Sequence, residues 1–87
     1  METVRLSGAL LRRRETAMEL LGEALELPDW WGRNLDALYD CLTQPGCAAR
    51  LVVEGRRDVE ETAFGRRLLR VLKDAAEENP HLELELE

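Results

Sequence analysis

The apolar residues of this chain switch between two spacings, and the switch is sharpest near the C-terminus, around Asn79-Pro80. After the proline, His81-Leu82-Glu83-Leu84-Glu85-Leu86-Glu87 alternates strictly, with leucines on one side of an extended strand and glutamates on the other. A helix would scatter those leucines. Before it, Phe64, Leu68, Val71, Leu72, Ala75 and Ala76 recur at three- and four-residue steps. That spacing predicts a helix from Thr62 to Glu78 with Arg66, Arg67, Arg70 and Lys73 turned outward. A chain that changes period in this way folds as alternating helices and strands.

The remaining segments extend the alternation. Thr3-Val4-Arg5-Leu6-Ser7 predicts a short first strand closed by Gly8. Ala17, Leu20, Leu21, Ala24 and Leu25 form the clearest helical stripe, in a helix from about Arg13 to Glu26 that Pro28 stops. Gly22, inside it, costs up to about 1 kcal/mol relative to alanine and permits a close approach by a neighbour. Ala49 to Glu54 contains Leu51-Val52-Val53, a continuous apolar run that predicts a strand covered on both faces. Arg56 to Glu61 is almost wholly charged and reads as a solvated loop or irregular turn leading into another helix. The order strand, helix, helix, strand, helix, strand gives an α/β class, with a three-stranded parallel sheet packed against three main helices and right-handed crossovers. The apolar run nominates the second strand as central, while chain order alone nominates none. Eighty-seven residues are expected to form one domain, 1–87, with no repeat and no low-complexity segment.

After the first helix comes the most distinctive stretch, Leu27-Pro28-Asp29-Trp30-Trp31-Gly32-Arg33-Asn34-Leu35-Asp36-Ala37-Leu38-Tyr39-Asp40-Cys41-Leu42-Thr43. It holds both tryptophans and the only tyrosine. Asn34 is a favourable N-cap, able to accept from the amide of Asp36 or Ala37, so a second helix is expected from Leu35 to about Thr43. Leu35, Leu38, Tyr39 and Leu42 form its inward stripe, and Asp36, Asp40 and Thr43 fall elsewhere. Asp36 in the first turn benefits from the positive helix end. Asp40 does not, and like charges at i, i+4 cost a few tenths of a kcal/mol. Its position is the one that local helix chemistry explains least. One indole is expected to pack inward and the other to point outward as an anchor beside the carboxylates.

This stretch resembles the signature of the barstar family: Leu-Pro, an acidic residue, two aromatics, Gly, any residue, Asn-Leu-Asp-Ala-Leu, an aromatic, Asp-Cys-Leu. The likeness runs along this stretch and fixes a proline, a glycine, an asparagine and two aspartates in one register. It implies a three-stranded, three-helix fold and an inhibitor that occludes a small basic ribonuclease of the extracellular, barnase-like type. It also implies contacts from Asp29, Trp30, Arg33, Asn34, Asp36, Tyr39, Asp40, Thr43 and Gln44. An ungapped comparison back from the C-terminus adds Asp74 as a further acidic contact. Trp30 stands where the family often has tyrosine, keeping a flat aromatic and losing a hydroxyl. The chain departs from the pattern in two places. Arg33 puts a positive charge into a surface meant to meet cations, and Gln44-Pro45-Gly46-Cys47 replaces a Gly-aromatic continuation. The competing reading is an interaction module that binds another basic protein without inhibiting a nuclease.

Other chemistries find little in the sequence. Asp36 and Asp40 lack the concave, partly dry setting that a general acid and base need, so no catalytic residue is expected. His81 is the only histidine and is distant in sequence from Cys41 and Cys47, so neither a metal nor a cofactor is expected. It reads as a residue leading into the last strand. No glycine-rich turn follows a strand in a phosphate-cradling pattern. A formal charge of −6 argues against phosphate-backbone binding, and Arg12-Arg13-Arg14 and the later basic cluster read as solvated helix faces interleaved with acids. No membrane span or signal peptide is visible, and two cysteines make no secreted-type disulfide framework. The expectation is a cytoplasmic protein with reduced thiols, monomeric when free, that contacts neither nucleic acid nor membrane.

Overall fold

The computed structural model describes residues 2–87. Strand β1 (Glu2–Ser7) leads through a 3-10 turn to helix α1 (Arg14–Ala24) and then α2 (Leu35–Leu42). Strand β2 (Ala49–Glu54), a short helix α3 (Arg56–Glu60), the long helix α4 (Ala63–Glu78) and strand β3 (Leu82–Leu86) follow. The three strands form a parallel sheet in the order β1-β2-β3, with Val4 opposite Leu51 and Leu51 opposite Leu84. The central strand is therefore the one with the continuous apolar run.

The helices cover one face of this sheet. Val4, Leu6, Leu51, Val53 and Leu82 alternate onto that face and join one core with Leu21, Trp31, Leu38, Leu42, Leu68 and Leu72. α2 packs against α4, α4 against β3, and α1 against β1. The expectation that β2 is covered on both faces does not hold. Its other face carries Arg5, Arg50, Glu54 and Glu83, all exposed. Only Val52 is buried there, outside the core, between Arg5 and Glu85 in register. Arg50 reaches across to Glu85 at 2.6 Å and Arg5 to Glu54 at 3.2 Å, so long charged side chains lay their stems over the valine in place of a helix. A three-residue apolar run does not by itself distinguish burial under helices from burial under such a lattice.

The charged segment after β2 is a short helix rather than the expected loop or irregular turn, and it leads into the next helix as expected. Val59 is its one buried residue, with no exposed surface, while Arg56, Arg57 and Asp58 stay in solvent. One apolar position in five leaves no periodic stripe to read. α3 turns into α4 at Thr62, whose hydroxyl accepts from Gly65 N at 2.9 Å. A Cβ at Gly65 would collide with the Val59 carbonyl oxygen, so the α3–α4 corner closes only around glycine. Along α4 the buried side is Leu68, Leu69, Leu72 and Ala75, with Phe64, Val71 and Ala76 half-buried at its margins. Leu69 was absent from the expected stripe, and the buried arc is wider than the strict three- and four-residue steps. No described helix is long and apolar enough to cross a membrane.

Candidate functional site

The segment joining α1 to α2 takes its path from a few backbone choices. Leu27 N donates to Gly22 O at 2.9 Å as α1 ends, with Glu26 at φ 53°. Trp31 N donates to Pro28 O at 3.0 Å, a tight turn that sends adjacent indoles in different directions. Trp31 is 5% exposed and lies in the core, whereas Trp30 is 84% exposed. Space for Trp31 comes from α1: a Cβ on Gly22 would stand 3.1 Å from its Nε1. The neighbour that glycine admits is this indole. Gly32 at φ 94° and Arg33 at φ 49° then reverse the chain into Asn34.

Asn34 caps α2 as its residue type predicts, and its partner is Ala37, whose amide donates to Oδ1 at 2.7 Å. Leu38 and Leu42 bury against the core and Leu35 and Tyr39 pack at its edge, which leaves Asp36 and Asp40 exposed. Neither aspartate is in an ion pair among the described residues. They share a shallow hollow with Asn34 and Arg14. At the far end, Thr43 donates its hydroxyl to Tyr39 O at 2.8 Å, and Gln44 O accepts from Cys47 N at 3.1 Å. Asn79, the one buried polar residue described, clamps that end. Its Nδ2 donates to Leu42 O at 2.8 Å and to Cys47 O at 2.9 Å, and its Oδ1 accepts from His81 N at 2.9 Å. α2 is thus pinned at both termini with its carboxylates free.

The expected site residues do not all converge. Asn34, Asp36 and Asp40 line one hollow, while Asp29 and Arg33 line another with Glu19, Glu23, Glu26 and Trp31. Tyr39 and Thr43 are half-buried, Gln44 is exposed, and Asp74 sits on α4 with its carboxylate 3.5 Å from Arg70. Arg14 was read from sequence only as part of a solvated basic run, not as a site residue. Its guanidinium lies 5.6 Å from the centroid of the Phe64 ring, the residue lines the same hollow as the two aspartates, and nothing in the spacing of residues 14, 36 and 40 signals that meeting. Glu19 and Glu23 did carry a signal, being one helical turn apart on α1. No metal-competent group of three or more acid, histidine or cysteine side chains occurs among the described residues. Two solvated carboxylates on a helix pinned at both ends are suited to receiving cationic donors from another molecule.

Comparison with known proteins finds a family match and a curated relative. The family described as Barstar (barnase inhibitor) matches residues 1–86. A Bacillus subtilis (strain 168) protein named "Putative ribonuclease inhibitor YrdF" is 42% identical over 43 residues, 49% of this chain and 47% of that protein. The match therefore spans about half the length of that relative.

Proposed function

The chain belongs to the barstar family, and from that premise we propose that it inhibits a small basic ribonuclease of the barnase-like type by covering its active site. The family's description is that of an inhibitor, not an enzyme. A cleft that binds RNA must hold cationic donors for phosphate. Asp40 enters as a phosphate substitute, accepting charge-assisted hydrogen bonds from the nuclease's arginine and histidine, and Asp36 takes a neighbouring cation. Trp30 covers a flat face of the cleft, Asp29 adds to the steering field, and Thr43 and Gln44 close the end of the contact. Asp74 contributes from α4 once it exchanges Arg70 for the partner. The net charge of −6 speeds encounter with a basic protein, more so at low salt.

The observation that carries this reading is the state of Asp36 and Asp40, exposed and outside any described ion pair on a helix pinned at both ends. Carboxylates already neutralised within the chain would have to break those pairs to bind. The helix that carries them is held in place beforehand and loses little freedom on association. Such an inhibitor acts where it meets newly made nuclease, in the cytoplasm, and as a monomer.

Arg14 beside the two aspartates and Arg33 in the preceding loop favour a second reading, a partner that is basic but is not a barnase-like nuclease. One experiment separates the two. Proteins captured by this chain from its native extract are tested for RNA cleavage with and without it. A basic ribonuclease silenced by stoichiometric chain supports inhibition, and a basic protein without nuclease activity supports the module.

A further inference from the structure

The second hollow, between α1 and the loop 27–33, is a separate feature with its own chemistry. Its apolar lining is Met18, Leu27 and Trp31, around Gly22. Glu19, Glu23, Glu26 and Asp29 stand around it, all exposed and none in an ion pair among the described residues. Arg33 is the single cation on the rim. Acids alone would make only a solvated face. The apolar lining adds a donor of its own. Trp31 is 95% buried, yet its Nε1–H has no hydrogen-bond acceptor among the described residues. No described buried side-chain nitrogen or oxygen is both sealed from solvent and unpartnered, so this N–H reaches solvent. It does so beside Gly22, on the wall of the hollow, because a Cβ at Gly22 would lie 3.1 Å away. The hollow therefore offers a fixed donor in its lining and several acceptors at its mouth.

We propose that this hollow receives an arginine side chain from a protein partner, with the neighbouring peptide carbonyl accepting from Trp31 Nε1–H. An indole N–H is a donor only, so the group that meets it must bring an acceptor. A peptide supplies one next to its cationic side chain. The aliphatic stem of arginine suits the Met18 and Trp31 lining. Its planar guanidinium carries five donors, enough to engage carboxylates arriving from both α1 and the loop, where a lysine would present a single point charge. The site does not depend on whether Asp36 and Asp40 meet a nuclease.

With only two tryptophans, the protein gives two indole N–H signals by nitrogen-edited NMR, and Trp30→Phe assigns them. The probe is the blocked peptide acetyl-Gly-Arg-Gly-amide, with its citrulline counterpart as the uncharged control. A saturable shift of the Trp31 signal is expected, at least fivefold weaker with citrulline and with Glu19→Gln combined with Glu23→Gln. Gly22→Ala, which places a methyl against Nε1, is expected to abolish the Trp31 response while the backbone spectrum stays dispersed. No saturable shift, or an unchanged titration in either variant, overturns the proposal. So does a Trp31 response to calcium ion that the peptide does not reverse, which would assign the hollow to a metal.

Discussion

Asn79 donates its side-chain amide to the carbonyl oxygen of Leu42 at 2.8 Å, tying the end of α4 to the last residue of α2. The same nitrogen holds Cys47 O, and the side-chain oxygen holds His81 N, so one residue joins α2, the loop after it and the start of β3. The helix that carries Asp36 and Asp40 is thereby fixed from a distance.

Asn79→Ala leaves two carbonyls and one amide without this partner in a largely buried place. A loss of about 2–4 kcal/mol is expected, read as a lower urea midpoint. Asn79→Asp should cost at least as much, because a carboxylate has no donor for the carbonyls of Leu42 and Cys47.

The adjacent indoles predict opposite outcomes. Trp31→Ala empties a core position and should cost about 3–5 kcal/mol. Trp30→Ala removes an exposed side chain and should leave stability within about 0.5 kcal/mol. Paired denaturation curves check both, and Trp30→Ala should still weaken partner binding.

Gly65→Ala tests the corner between α3 and α4. The added methyl meets the Val59 carbonyl oxygen, which is backbone and has no rotamer to adopt. A loss of about 3 kcal/mol or more is expected. Gly46→Ala is the comparison: it stands at φ 93° with open space around its Cβ position, so it should suffer backbone strain alone, on the order of 1–2 kcal/mol.

Burial raises the pKa of both thiols, with Asp40 adding to the effect at Cys41 and Cys41 to that at Cys47. Folding thus disfavours the thiolates. The unfolded chain ionises first as pH rises, so this contribution to stability is fully present below the ordinary thiol value of 9.0. It is lost as pH climbs through the raised folded values. Iodoacetamide at pH 8 should alkylate the folded protein more slowly than the urea-unfolded chain, since only thiolate reacts.

Much of this structure was legible because the relevant forces are local or periodic. The stripes of α1, α2 and α4, the alternation of β3 and the Asn34 cap all follow from spacing and residue type, and one tryptophan in with one out follows from adjacency. What stayed hidden depends on partners distant in sequence. α3 is helical because Val59 finds the core and Gly65 lets the next helix approach. Val52 is buried by arginines and glutamates contributed by all three strands. Asn79 looked like a helix stop, and its clamp exists only once Leu42, Cys47 and His81 converge. The Asp36 and Asp40 surface was read from a motif, whereas Arg14 at its border came only with the fold.

The central claim is that Asp36 and Asp40 act as preplaced carboxylates for a cationic cleft. It is tested most directly by calorimetry of wild-type chain and of Asp40→Ala with the captured basic ribonuclease. Removing one side of a desolvated ion pair costs about 3–5 kcal/mol, so Asp40→Ala should weaken binding by more than about a hundredfold with little change in its urea midpoint. A loss smaller than about tenfold, or 1.4 kcal/mol, would contradict the account.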